Sequence, residues 1–291
     1  MPGYIDTCIY SFFTALSFVF IDKLDDKINP YVSLLYMLIV ALVFFNLVQY
    51  RNLLNVYRQT FKNMSTYIPM SLFISANWMC SIFAPNIIDP FFYLAIYFMT
   101  SATCACLFSV KKSSMDFIIN IIIVIIFALT MFYACRYYSS IANKNIRYRL
   151  LLGIGGGVTS YGYSYFSNSF ANSCKFYPTQ VLAVRSWCLT IILLIIILSK
   201  HISCHLNFTN ISIEVVMSAL TLIIPIYFSQ SALKKLGVTN YSMLVAFTPA
   251  ITFVVYTISQ QNLVKINFFI SIAVTLVLFI SKVNQILMIK K

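Results

Sequence analysis

Residues 176–199 read FYPTQVLAVRSWCLTIILLIIILS, a run of membrane-spanning length with a single charge, Arg185, well inside it. A guanidinium near the middle of a spanning helix costs roughly 2.5–3.5 kcal/mol on insertion scales, so it has to face an interior and find a partner. Sliding residues 29–50, NPYVSLLYMLIVALVFFNLVQY, over this stretch sets Pro30 on Pro178 and Leu34 on Leu182. Met37 then falls where Arg185 stands. The chain therefore reads as two related halves, of which the second alone keeps the charge.

The 291 residues are 60% hydrophobic and 9% charged, with a mean hydropathy of +0.87, which excludes an ordinary soluble globular domain. An integral membrane protein is expected. Its formal net charge of +13 would suit a nucleic-acid partner. The basic residues, however, sit in short segments between apolar runs, as in the cytoplasmic loops of membrane proteins, so no nucleic acid is expected. Eight cysteines are scattered, mostly inside apolar stretches and without a CxxC pair, and read as small hydrophobes rather than disulfides. The start, MPGYIDTCIYSFFTALSFVF, has no basic residue before its apolar run and reads as a first helix rather than a removed signal peptide.

Turn residues and charges divide the chain into ten candidate spans: 5–21, 30–50, 66–85, 90–110, 115–135, 149–169, 177–199, 213–233, 239–259 and 266–288. The runs are too long and too evenly apolar for barrel strands, so an all-α fold of ten transmembrane helices follows. Two inverted five-helix repeats are expected, residues 1–140 and 141–291, because five is odd and the second half must enter from the opposite face. Basic residues such as Arg51, Arg58, Lys62, Lys234 and Lys235 then bias both termini toward the cytoplasm, whereas the loop at 136–149 runs against that bias.

The sixth span concentrates the glycines, with Gly153, Gly155, Gly156, Gly157 and Gly162 among the seven in the chain. Gly153, Gly157, Tyr161 and Tyr165 follow at intervals of four and form one helical stripe. Such a stripe allows close helix packing through small residues, and it also offers tyrosines to a cavity; both readings stand.

From about residue 149 onward the sequence resembles the drug/metabolite transporter superfamily, EamA type. The resemblance is clearest over 224–259, IPIYFSQSALKKLGVTNYSMLVAFTPAITFVVYTIS, through Pro225, Ala232-Leu233, Gly237, Ser242 and Pro249. Pro178 with Arg185 seven residues on is similar to the family's spacing in the second helix of a repeat. The first half departs from the pattern: Met37 replaces the arginine, no proline lies mid-helix in 90–110, and Lys111-Lys112 and Gln260-Gln261 stand where a glutamate is typical. What the resemblance implies is a substrate cavity at the repeat interface near mid-membrane, with alternating access by rocking of helix groups.

Arg185 is the first candidate for holding an anionic substrate group, since its planar fork pairs a carboxylate or phosphate bidentately. Its competing role is structural, bonded to carbonyls or a tyrosine of its own bundle. Asn77 and Trp78 in the third span, Tyr161 and Tyr165 in the sixth, and Tyr227 and Gln230 in the eighth are further substrate-binding candidates, each with a polar tip that needs a partner in the membrane. Pro225 and Pro249 are expected to kink their helices. The seven acidic residues all fall at helix ends or in loops, which disfavours a proton-coupled cation exporter. HISCH at 201–205 has no further ligand set nearby, so no metal is expected, and no cofactor-binding motif occurs.

The expected function is a secondary transporter of a small metabolite, an amino acid or a related polar or amphipathic compound, working as a monomer or homodimer in the lipid bilayer of a bacterial cytoplasmic (inner) membrane. The alternatives are a non-transporting membrane partner or scaffold, and a membrane-embedded transferase, for which a plausible base is lacking. No enzymatic activity is expected.

Overall fold

The computed structural model describes residues 2–24, 29–83, 90–108, 146–203 and 208–260, with seven single positions between 118 and 136. Among the described residues every regular element is helical. The helices are α1 (Pro2–Leu24), α2 (Pro30–Val48), α3 (Leu53–Lys62), α4 (Met64–Phe83), α5 (Pro90–Leu107), α6 (Ile146–Cys174), α7 (Pro178–Arg185), α8 (Trp187–Ser199), α9 (Phe208–Ser218), α10 (Ile224–Val245) and α11 (Thr248–Gln260). The spans expected at 115–135 and 266–288 lie outside the described residues, those single positions apart.

Among the described residues three helical stretches are long and apolar enough to cross a membrane: Pro30–Val48, Pro178–Ser199 and Ile211–Val245. The chain is thus an all-helical protein of membrane type. Two of these stretches open on a proline at the first helical position, where its missing N–H costs nothing. Asn29 caps α2 by accepting from the Tyr31 N–H at 3.0 Å, and Gln180 closes the start of α7 by accepting from the Tyr177 N–H at 2.8 Å.

Neighbouring helices follow an exchange rule. Let α1 correspond to α6, α2 to α7 and α8 together, α4 to α9 and α10 together, and α5 to α11. Then α1 on α10 maps to α6 on α4, and α1 on α11 maps to α6 on α5. Likewise α2 on α9 maps to α8 on α4, while α2 against α7 and α8, and α5 against α11, map to themselves. In addition, α10 packs on α5 and α6.

Close approach depends on the glycines of α6. A Cβ on Gly157 would collide with the Tyr97 carbonyl and Thr100 of α5, so that pair of helices packs backbone to backbone. Gly155, by contrast, would meet only Cys80 Sγ, at 3.5 Å. The thiols of Cys8, Cys80, Cys104, Cys174 and Cys188 are free; Cys8 is exposed and the rest are half-buried rather than enclosed.

Three of the expected single spans turn out interrupted. The seventh opens at Ser186, between α7 and α8, where neither proline nor glycine signals a break. The eighth contains a wide turn over Ala219–Ile223, in which the Ile224 N–H reaches back five residues to the Ala219 carbonyl. Pro225 follows directly, and the wider turn relieves the clash of its ring with the carbonyl four residues before. Gly237 then takes φ 75° and ψ 168°, which ends the helical run with space around it, so backbone conformation rather than crowding requires glycine. The ninth span breaks at Ala246-Phe247, just ahead of Pro249, and Thr248 caps the break by donating to the Val245 carbonyl at 2.6 Å.

Candidate functional site

The interruption at Ser186 exposes backbone polarity in the middle of an apolar bundle, and side chains from two other helices supply donors there. Asn46 at the end of α2 donates to the Ala183 carbonyl at 3.1 Å, and Tyr67 of α4 donates to the Val184 carbonyl at 2.9 Å. Carbonyls freed where a helix opens inside a membrane need such donors. Arg185 is the next residue. It is buried, with 4% of its surface exposed.

Its Nη1 donates to Tyr163 Oη at 2.8 Å, and the guanidinium carbon sits 5.4 Å from the centre of the same ring. Tyr163 in turn donates to Gln230 Oε1 at 3.0 Å, and Gln230 Nε2 donates to Ser167 Oγ at 2.9 Å. The line Arg185–Tyr163–Gln230–Ser167 therefore joins α7, α6 and α10. Among the described residues no carboxylate pairs with Arg185; the Lys235–Asp6 contact is the ion pair found there. A guanidinium has five N–H donors, and one hydrogen bond from Arg185 is found among the described residues.

A group of tyrosines surrounds this line. Tyr10 of α1 and Tyr241 of α10 hold their rings 6.2 Å apart, and Tyr93 and Tyr97 of α5 hold theirs 5.7 Å apart. Arg185 lies within electrostatic reach of Tyr10, and Tyr241 within reach of Tyr10, Tyr97 and Tyr163. Asn77 of α4 completes the cluster by donating to Tyr97 Oη and to the Gly156 carbonyl, both at 2.9 Å. Ser229 and Tyr241 share a short hydroxyl hydrogen bond.

Of the seven residues singled out from sequence, Arg185, Gln230 and Asn77 thus lie in this buried polar centre. Trp78 sits between two apolar clusters and packs against both. Tyr227 is 39% exposed and makes an edge contact with Phe228. Tyr161 stacks on Phe108, and Tyr165 is 54% exposed, so the structure does not bring the two tyrosines of the glycine stripe into the centre. That stripe faces α5 at its glycines and the periphery at its tyrosines. The inward face of α6 is instead Gly156, Ser160, Tyr163, Ser167 and Phe170, a set at intervals of three and four that the sequence displays once the hydroxyls, rather than the glycines, are followed. Tyr10, Tyr93, Tyr97 and Tyr241 were missed because a tyrosine in an apolar run resembles an interface anchor.

Two acidic residues are more enclosed than the sequence suggests. Asp6, in the first turn of α1, is 8% exposed, accepting from Ser231 Oγ at 2.8 Å and Lys235 Nζ at 2.6 Å. Glu214 lies midway along α9, not at a helix end as expected, because α9 begins at Phe208; it is 4% exposed, and among the described residues its Oε2 has no hydrogen-bond partner. Comparison with family profiles and with curated proteins gives no match to this chain.

Proposed function

We propose that the chain is a secondary transporter of the drug/metabolite transporter type, in which two inverted five-helix repeats carry a small anionic or zwitterionic metabolite past Arg185 by alternating access. The observation that carries this reading is the buried guanidinium at a helix opening, bonded to the Tyr163 hydroxyl and without a carboxylate partner among the described residues. An anion is the group that would use its free donors best, and a carboxylate or phosphate would engage two of them at once. The neighbour exchange between α1–α5 and α6–α11 supports the repeats, and an odd number of spans per half makes them antiparallel across the membrane.

Openings at Ser186, Ala219–Ile223 and Ala246-Phe247 interrupt helices within the bundle, and discontinuous helices are a feature of transporter sites. The end holding the start of α1, the end of α2, α3 and the start of α7 carries Arg51, Arg58, Lys62, Lys175, Lys234 and Lys235. The positive-inside bias sets that end, with the N-terminus, in the cytoplasm.

The test is substrate exchange in vesicles reconstituted with the purified chain, over a panel of amino acids, nucleosides, S-adenosylmethionine and sugar phosphates. Saturable exchange of an anionic or zwitterionic member is expected, lost in Arg185→Ala while membrane insertion persists. A folded protein that exchanges no member of the panel would overturn the transport reading and favour a non-transporting partner. Exchange undiminished in Arg185→Ala would leave transport standing and remove Arg185 from the substrate path.

A further inference from the structure

Helix α3 lies across the ends of α4, α6 and α7, and its sequence, LLNVYRQTFK, has three distinct faces. Val56 and Thr60 are buried against the bundle. About 130° round the helix, Leu54 and Phe61 share a side and are 89% and 70% exposed. A further 70° or so on, Arg58 and Lys62 stand one turn apart and exposed. Protein, then apolar, then cationic is the order of surroundings met by a helix seated in a bilayer interface: bundle, acyl chains, headgroups.

The flanking turn extends the pattern. Leu47 and Tyr50 are 64% and 63% exposed, and Arg51 lies over the Tyr50 ring. Residues 46–66 contain no aspartate or glutamate, and Asp6, the acidic residue described at this end of the bundle, is already engaged by Lys235 and Ser231.

We infer that α3 is a docking site for anionic phospholipid, with Arg58 and Lys62 taking the headgroup phosphate and Leu54 and Phe61 inserted among the acyl chains beneath it. Charge complementarity selects an anionic over a zwitterionic headgroup, and the two cations at one-turn spacing give the phosphate a two-point seat. The site also touches the centre of the molecule. Tyr57 of α3 donates to Asn46 Oδ1 at 2.9 Å and accepts from Trp187 Nε1 at 2.8 Å, while Asn46 holds the Ala183 carbonyl two residues before Arg185. Lipid bound on α3 therefore steadies the opening that presents Arg185. The lipid site does not depend on transport.

The test uses the full chain in detergent micelles supplemented with phosphatidylglycerol or phosphatidylcholine, read by thermal unfolding. Phosphatidylglycerol should raise the melting temperature of the wild type and of Lys200→Gln, a change at the opposite end, and the rise should fall by at least half in Arg58→Gln/Lys62→Gln. Equal rises in all three proteins, equal rises with both lipids, or the same rise from soluble glycerol phosphate would overturn the proposal. A second measurement leaves α3 intact: the chain has two tryptophans, so Trp78→Phe isolates Trp187, which lies beside Tyr57 and is 41% exposed. Brominated phosphatidylglycerol in mixed vesicles should quench it more than brominated phosphatidylcholine at the same fraction. Equal quenching would sink the idea whether or not the α3 variants fold.

Discussion

Replacing Arg185 by methionine separates its two possible roles. The substitution removes one hydrogen bond from a charged donor, at 2.8 Å to Tyr163, which contributes about 1.5–3 kcal/mol. Against that, the bundle no longer encloses a guanidinium, a saving of roughly 2.5–3.5 kcal/mol on insertion scales. Tyr163 keeps its acceptor, Gln230 Oε1, so no buried hydroxyl is orphaned. The two terms largely cancel, and net stability should change by no more than about 2 kcal/mol, a melting shift of about 8 °C or less for a chain of this size. Ligand affinity should behave differently, because truncating one partner of an enclosed charge pair costs about 2–5 kcal/mol, roughly 30- to 5,000-fold in Kd. Thermal unfolding of purified wild type and Arg185→Met, each titrated with a carboxylate or phosphate compound that stabilises the wild type, reads both quantities together. A melting drop beyond about 10 °C with ligand stabilisation retained would show that Arg185 holds the bundle together rather than a substrate, and the cancellation worked out above would be refuted.

Tyr163→Phe should do the reverse in stability, costing about 1–3 kcal/mol, because it strips the buried guanidinium of its hydrogen bond; a melting curve matching wild type would mean that Arg185 finds a substitute acceptor. In α6, Gly157→Val should cost about 1–3 kcal/mol through collision with the Tyr97 carbonyl, whereas Gly155→Ala, which meets only a thiol at contact distance, should be neutral or gain up to about 1 kcal/mol of helix propensity; equal effects in unfolding assays would contradict the packing described. Gly237→Ala places a side chain at φ 75° and should cost about 1–3 kcal/mol despite the empty space around it, measured in the same way. Asp6→Asn should cost about 1 kcal/mol or less, since the Lys235 side chain is 43% exposed, and the difference from wild type should shrink as salt is raised; a salt-independent difference would point to the Ser231 hydrogen bond instead.

Hydropathy made the helical, membrane-type character legible, and the helix starts at Pro30 and Pro178 were legible because a proline that cannot donate is best placed where no donation is required. The turn at Gly237 and the break before Pro249 followed from the same backbone chemistry. The opening at Ser186 did not, because it is specified by Asn46 and Tyr67, which lie more than a hundred residues away in sequence and donate to the carbonyls there. Local propensity holds no record of a donor arriving from another helix. The same reason explains the tyrosines. A glycine stripe marks where a helix is approached closely, but the side that is approached closely is packed shut, so the polar centre formed on the adjacent face through Tyr163 and Ser167.

The exchange of neighbours sharpens what the loss of charge at position 37 means. Met37 and Arg185 occupy matching places when the two proline-led helices are superposed, and both stand beside a carbonyl served by a hydroxyl from another helix: Ser218 donates to the Met37 carbonyl at 2.8 Å as Tyr67 donates to that of Val184. A hydroxyl from another helix thus reaches a carbonyl at or next to each of the two positions, while the side chains differ. Around Met37 the polar groups are satisfied locally, with Thr221 donating to Sδ at 3.4 Å and to the Met217 carbonyl. Around Arg185, among the described residues, the guanidinium has one hydrogen-bond partner, Tyr163. In the transport reading proposed above, one guanidinium at α7, with Met37 rather than a second arginine at the matching position of α2, suits a substrate with one anionic group and an apolar or amphipathic remainder.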